Sequence, residues 1–143
     1  MNKQSELPSS EDYIPQWTSR RIVVVDKSER WSPAISAEVW SRSLKQNVRF
    51  EACDSTRDAQ LYLEMKNTVG LILFLNGVER ESCSLLGKLF RLPSLLPVML
   101  VAEDRHRAIV PVLLEAGAMG VLFNVRDDIP IAEWCCRILQ TFE

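Results

Sequence analysis

Five short apolar runs recur along the chain, each followed by a polar turn and a stretch long enough for a helix. They cover residues 21–26, 48–53, 69–76, 96–102 and 119–124. Four have near-continuous apolar cores: IVVV, GLILFL, LPVMLVA and MGVLF. A strand that is apolar on both faces needs cover on both, which is the condition of a parallel strand between two helix layers. The second run differs, because Val48, Phe50 and Ala52 alternate with Arg49, Glu51 and Cys53. Alternation marks a strand less deeply covered, hence near a sheet edge. A doubly wound sheet of order 2-1-3-4-5 places its second strand at an edge. The expected fold class is α/β, a five-stranded parallel sheet in that order with a helix after each strand.

The intervening segments support this. Ser32 or Ser28 can cap the first helix, with Pro33 tolerated in its opening turn. Ser55 and Thr56 precede the second, and the third spans about residues 79–91, ending before Pro93. In the fifth, Ile131, Trp134, Cys135, Ile138, Leu139 and Phe142 form one apolar stripe at helical spacing, so they read as core. Trp31 and Trp40 read as packing residues of the first helix. The fourth, residues 105–116, contains AIVPVLLEA, apolar almost all round with Pro111 inside it. Ile109, Leu113 and Ala116 share a core-facing stripe, which leaves Val110, Pro111 and Leu114 without an obvious burial partner. A proline there kinks or shortens the helix. The surplus apolar surface either turns inward or forms a contact site.

The chain of 143 residues fits one domain. Residues 1–19, rich in Ser, Glu and Pro, read as a flexible tail, in which Tyr13, Ile14 and Trp17 either dock on the body or form a partner motif. Residues 20–143 form the body. A net charge of −2 gives no general attraction to nucleic acid or an anionic membrane. The basic pairs Arg20 with Arg21 and Arg105 with Arg107 lack interleaved aromatics suited to nucleic acid. With no signal-peptide h-region and no run of about 18 apolar residues, the expectation is a soluble, cytoplasmic protein.

Cys53, Cys83, Cys135 and Cys136 make no CxxC pair, and His106 is the one histidine. That pattern fits small buried hydrophobes better than a zinc site, so no metal or other cofactor is expected. His106, in DRHR, reads as part of a solvated helix start. The acid pairs Glu103 with Asp104 and Asp127 with Asp128 fall at helix openings, where capping accounts for them. DKSER after the first strand has no glycine, and neither GxxxxGK[ST] nor GxSxG occurs, so no enzyme is expected.

The element order, with RIVVVDKSE at the first strand, LPVMLVAED at the fourth and LEAGAMGVL leading into the fifth, resembles the receiver domain of bacterial response regulators. In that family two acids after the first strand and an aspartate after the third hold Mg²⁺, and the latter accepts the phosphoryl group. A Ser or Thr ends the fourth strand and a Lys the fifth. Carried over, Asp26 matches the first acid, but Lys27 stands at the second and is placed to neutralise Asp26. Leu75 falls at the acceptor position, or Asn76 if the register slips by one. Ala102 replaces the hydroxyl residue and Asn124 the lysine. Mg²⁺ prefers several hard oxygen ligands, and neither leucine nor an amide is a phosphoryl acceptor.

The resemblance therefore implies a stand-alone, degenerate receiver that works by phosphorylation-independent protein contacts in two-component-type regulation. The chain ends with the fifth helix, so output is expected through a protein partner or a second copy. The expected surface is the fourth helix, fifth strand and fifth helix, with Arg107, Val110, Leu114 and Arg126 as candidates. The alternative is an active phosphorelay receiver with an unusual acceptor, Asp26 or Asp54. A thinner reading is a small-ligand pocket rimmed by Asp26, Lys27 and Asn124.

Overall fold

The computed structural model describes residues 19–42, 47–91 and 96–141. The proposed tail (apart from Ser19, which is buried), Pro93 and Phe142 lie outside the described residues. Strands β1 (Arg20–Val25), β2 (Val48–Cys53), β3 (Thr68–Phe74), β4 (Val98–Ala102) and β5 (Gly120–Phe123) form one sheet of order β2-β1-β3-β4-β5. All four pairings are parallel. Helices α1 (Ser32–Arg42), α2 (Thr56–Leu63), α3 (Glu79–Phe90), α4 (Val110–Glu115) and α5 (Ile129–Gln140) alternate with the strands. This is the expected doubly wound topology, with strand ends shifted by at most two residues.

Strand alternation divides the apolar runs between two cores. Val23, Val25, Leu71, Leu73 and Leu100 pack with Ala59 and Leu63 of α2, Leu85 and Leu86 of α3, and Leu113 of α4. Ile22, Val24, Ile72, Met99 and Val101 pack on the other face with Ile35 and Val39 of α1 and Ile131, Trp134 and Leu139 of α5. Every residue of β3 is buried, as its continuous apolar sequence requires. Each large side chain so placed contributes about 1.5–3 kcal/mol of burial energy.

The edge strand β2 is half covered. Val48 and Phe50 face α1, Cys53 faces the opposite core, and Ala52 is exposed. Trp40 shields this edge: its indole N–H donates to the Val48 carbonyl at 3.1 Å and its ring meets Phe50 edge-on at 6.3 Å. Ser55 caps α2, its Oγ accepting the Asp58 N–H at 3.1 Å. In α5, Ile131, Trp134, Cys135 and Leu139 are buried and Ile138 is half-buried.

The fourth helical segment differs from expectation. A 3₁₀ turn (Asp104–His106) comes first, and α4 begins only at Val110. Pro111 therefore lies in the first helical turn, where its missing N–H leaves no intrahelical bond unmade. The proline thus falls at the opening of the helix and not in its interior. Val110 is only 3% exposed and belongs to the core beside Leu113, so the partner-surface assignment of Val110 is corrected.

Leu100, wholly buried, and Leu61, 71% exposed on α2, give a direct contrast. Leu100→Ala is expected to lower unfolding free energy by about 2–5 kcal/mol in urea titrations, and Leu61→Ala to change it by less than about 0.5 kcal/mol.

Candidate functional site

The carboxyl ends of β1, β3, β4 and β5 meet at one rim, the edge where doubly wound sheets place their ligands. Asp26 follows β1 and is buried. Its Oδ1 accepts the Ser28 backbone N–H at 3.1 Å and the Ser28 hydroxyl at 2.7 Å. Its Oδ2 accepts the backbone N–H groups of Arg30 at 3.0 Å and Trp31 at 2.9 Å. The DKSER loop thus wraps around one carboxylate, and Glu29 adopts the left-handed conformation at φ 58° to complete the turn. That conformation costs a non-glycine residue about 1–2 kcal/mol. Charge-assisted bonds from the loop's own amides offset it and lead the chain into α1 at Ser32.

Lys27 does not neutralise Asp26 as expected: among the described residues no ion pair joins them. Its aliphatic stem lies over Gly77 in the β3–α3 turn. A Cβ at Gly77 would sit 2.7 Å from Lys27 Cδ, and the glycine has φ +86°. Three of the four donors that satisfy Asp26 are backbone amides, which composition cannot reveal.

At the end of β3 the two candidate acceptor positions separate. Leu75 has no exposed surface and joins the α2–α3 core. Asn76 reaches the rim, where its Oδ1 accepts a hydrogen bond from Arg105 Nη2. Phe74 stacks on Trp31, centroids 5.5 Å apart. These two rings line a pocket of about 70 Å³ with Asn76, Ala102, His106 and Asn124. Small-molecule sites usually occupy about 300–1,000 Å³. The proposed rim of Asp26, Lys27 and Asn124 is not brought together here, since only Asn124 lines the pocket.

The turn after β4 is tied from several sides. His106, expected to be solvated, is 3% exposed. Its Nδ1 accepts the Glu103 N–H at 2.9 Å, while the Glu103 side chain accepts from the His106 backbone. The two residues form a capping box with an imidazole in place of the usual Glu or Gln. On the other side, His106 Nε2 faces Glu79 Oε2 of α3 at 2.9 Å. Arg105 lies 3.7 Å from Glu79 and 3.3 Å from Glu103. Asn124, at φ 54°, donates to Asp104 Oδ1 at 3.0 Å, and Arg107 donates to the same oxygen at 3.0 Å. These bonds hold the Asp104 carboxyl below its ordinary range. The sequence signal for His106 was an acceptor three residues after a cap. Read as part of a charged cluster, it was missed.

Of the other surface candidates, Arg107 is exposed with its guanidinium 4.4 Å from the Phe123 ring centroid. Leu114 is 37% exposed and Arg126 is exposed. Val112, Met119 and Ile129 add exposed apolar area to the same elements or their flanks and were not anticipated.

No protein-family model matches the chain, and no curated protein matches it. Solved structures do. A response regulator receiver protein from Pseudoalteromonas atlantica aligns with TM-score 0.65 at 16% identity, covering 86% of this chain and 99% of that one. The chemotaxis response regulator CheY4 of Vibrio cholerae aligns with TM-score 0.66 at 14% identity, covering 85% and 99%. A redox sensor of the streptococci, evolved from two-component response regulators, aligns with TM-score 0.68 at 13% identity, covering 86% of this chain and 52% of that one.

The fold is receiver-like.

The residues at the receiver-like rim do not fit the Mg²⁺ that the resemblance implies. Hard cations need several oxygen ligands, and both oxygens of Asp26 already accept two hydrogen bonds each. Lys27, Leu75 and Ala102 supply no oxygen from their side chains. The Asn76 amide oxygen is bonded to Arg105.

Asp26→Ala is expected to lower stability by about 1–3 kcal/mol in urea unfolding, since it removes the acceptor shared by the loop amides of Ser28, Arg30 and Trp31. An unchanged midpoint would show that the loop does not depend on the carboxylate. Glu79 gives a pH prediction. Burial pushes its carboxyl up, but backbone amides of Glu79 and Gly77 and the His106 bond outweigh this and hold it below the ordinary 4.5. A lowered carboxyl stabilises the fold fully above that value and loses the contribution as pH falls through the folded one. Glu79→Gln should therefore flatten the acid limb of stability below pH 4.5, read by urea titrations at stepped pH.

Proposed function

We propose that this protein is a degenerate receiver-like signalling module that acts through protein contacts independent of phosphorylation, within two-component-type regulation. The observation that carries the reading is the commitment of Asp26: its carboxylate holds the loop that begins α1, through four hydrogen bonds. A metal or phosphoryl group there would have to displace that loop. Leu75 has no nucleophilic atom, Ala102 has no hydroxyl to follow a phosphoryl group, and Asn124 carries no charge to balance one. For the alternative acceptor, Asp26 would first have to give up the amides it holds.

The receiver-like neighbours support the scaffold, and the streptococcal redox sensors are a case of that scaffold in sensing of another kind. Three of the four thiols, Cys53, Cys135 and Cys136, point away from a redox use. Burial pushes Cys53 up to about 11 and also raises Cys135 and Cys136, so thiolate is scarce near neutrality. The contact surface we assign comprises α4, β5 and α5, with Arg107, Leu114 and Arg126 offering charge and apolar area together. The partner is a protein, a second copy of the chain included.

The test is an amide NMR comparison with and without Mg²⁺ and beryllofluoride, a phosphoryl mimic. The expected result is no clustered shift at Asp26, Leu75, Ala102 and Asn124. Saturable, Mg²⁺-dependent shifts at those residues would restore the phospho-switch.

A further inference from the structure

The Asp104–His106 turn is held by an imidazole, the side chain whose two ring nitrogens can exchange donor and acceptor roles with a proton. The two hydrogen bonds of His106 fix its state. Nδ1 accepts the Glu103 N–H at 2.9 Å, so it carries no proton. Nε2 faces the Glu79 carboxylate at 2.9 Å, so it donates. This is the neutral ring with its proton on Nε2. A second proton can go only to Nδ1, and there it would meet another donor, the Glu103 amide.

We infer that His106 is a proton-sensitive latch on the turn between β4 and α4: closed while the imidazole is neutral, opened when Nδ1 takes a proton and the Glu103 amide loses its acceptor.

The charged groups around the ring define what happens next. From α3, Glu79 stays ionised and holds the cation by Nε2. From the turn itself, Arg105 lies 3.7 Å from Glu79 and opposes a second positive charge. Glu103, at the end of β4, is the other carboxylate of the box. Asp104 is turned toward Arg107 and Asn124 on the β5 side. The imidazolium is therefore retained against α3 while the Glu103 N–H is released to water. The next bond in the chain, Ile109 N–H to the His106 carbonyl at 3.0 Å, carries the change toward the start of α4. Acid thus loosens the segment that presents Arg107 and Leu114.

His106 is the one histidine, so its ring signals are unambiguous. The experiment follows the His106 imidazole and the Glu103 amide by NMR in the full chain, from about pH 8 to about pH 5, the span in which an imidazole ordinarily titrates. The expected result is a Glu103 amide that shifts with the same midpoint as the ring. Its hydrogen-exchange protection, corrected for intrinsic rate, should fall about tenfold, as loss of roughly one net hydrogen bond implies. His106→Gln keeps an acceptor at the capping position without a titrating proton, and its Glu103 amide should stay unmoved. Three results would overturn the inference: a ring that titrates while the wild-type Glu103 amide does not move, a ring that takes no proton before the protein unfolds, or the same amide shift in His106→Gln. If the variant does not fold, the coincidence of the two wild-type midpoints decides.

Discussion

The carboxylate of Asp26 collects the loop after β1 around itself, and the geometry at the carboxyl end of the sheet follows from that. Two backbone amides and the Ser28 amide and hydroxyl converge on it, Glu29 accepts a left-handed backbone to let them, and α1 starts where the last of them is placed. A buried carboxylate needs such partners, because an unpaired charge inside a protein is far more costly than the strain of one residue. Once those oxygens are filled, Trp31 is brought over the rim and stacks on Phe74. The same aspartate that the resemblance would give to a metal here holds the backbone.

The opposite side of the rim is built from side chains. Glu79, Arg105, His106 and Glu103 link the start of α3 to the turn after β4, and Asn124 and Arg107 tie Asp104 to β5. Exposed ion pairs of this kind contribute little singly. The buried imidazole is different, since losing either of its bonds would leave an inward-facing polar group without a partner. The segment between β4 and α4 is thus held by its own side chains together with Glu79 of α3 and Asn124 after β5.

The fold was largely legible because burial on both faces leaves a plain mark, and IVVV, GLILFL and LPVMLVA carry it. The α5 stripe was legible from its helical spacing, and the edge character of β2 from its alternation. The fourth helix was not, because AIVPVLLEA is apolar on every side and periodicity cannot choose a face or a first residue. Pro111 stands in the opening turn, and Val110 beside it is buried. At the rim, residue types name the side chains present, such as Ala102 and Asn124, but not the bonds that hold the turns beside them. The partners of Asp26 are mostly backbone amides, and those of His106 come from a separate helix, so both depend on the fold. Asp26 and Lys27 are neighbours in sequence, and adjacency alone suggested a pair that the stem of Lys27, lying over Gly77, does not make.

We propose that this receiver-like domain does not carry out phosphoryl transfer, because Asp26, the one matching acid, is committed to its own loop. The most direct measurement is intact mass at neutral pH after incubation with acetyl phosphate and Mg²⁺. The account predicts an unmodified chain at every donor concentration. A single Mg²⁺-dependent phosphoryl adduct, lost on Asp26→Asn, would contradict it.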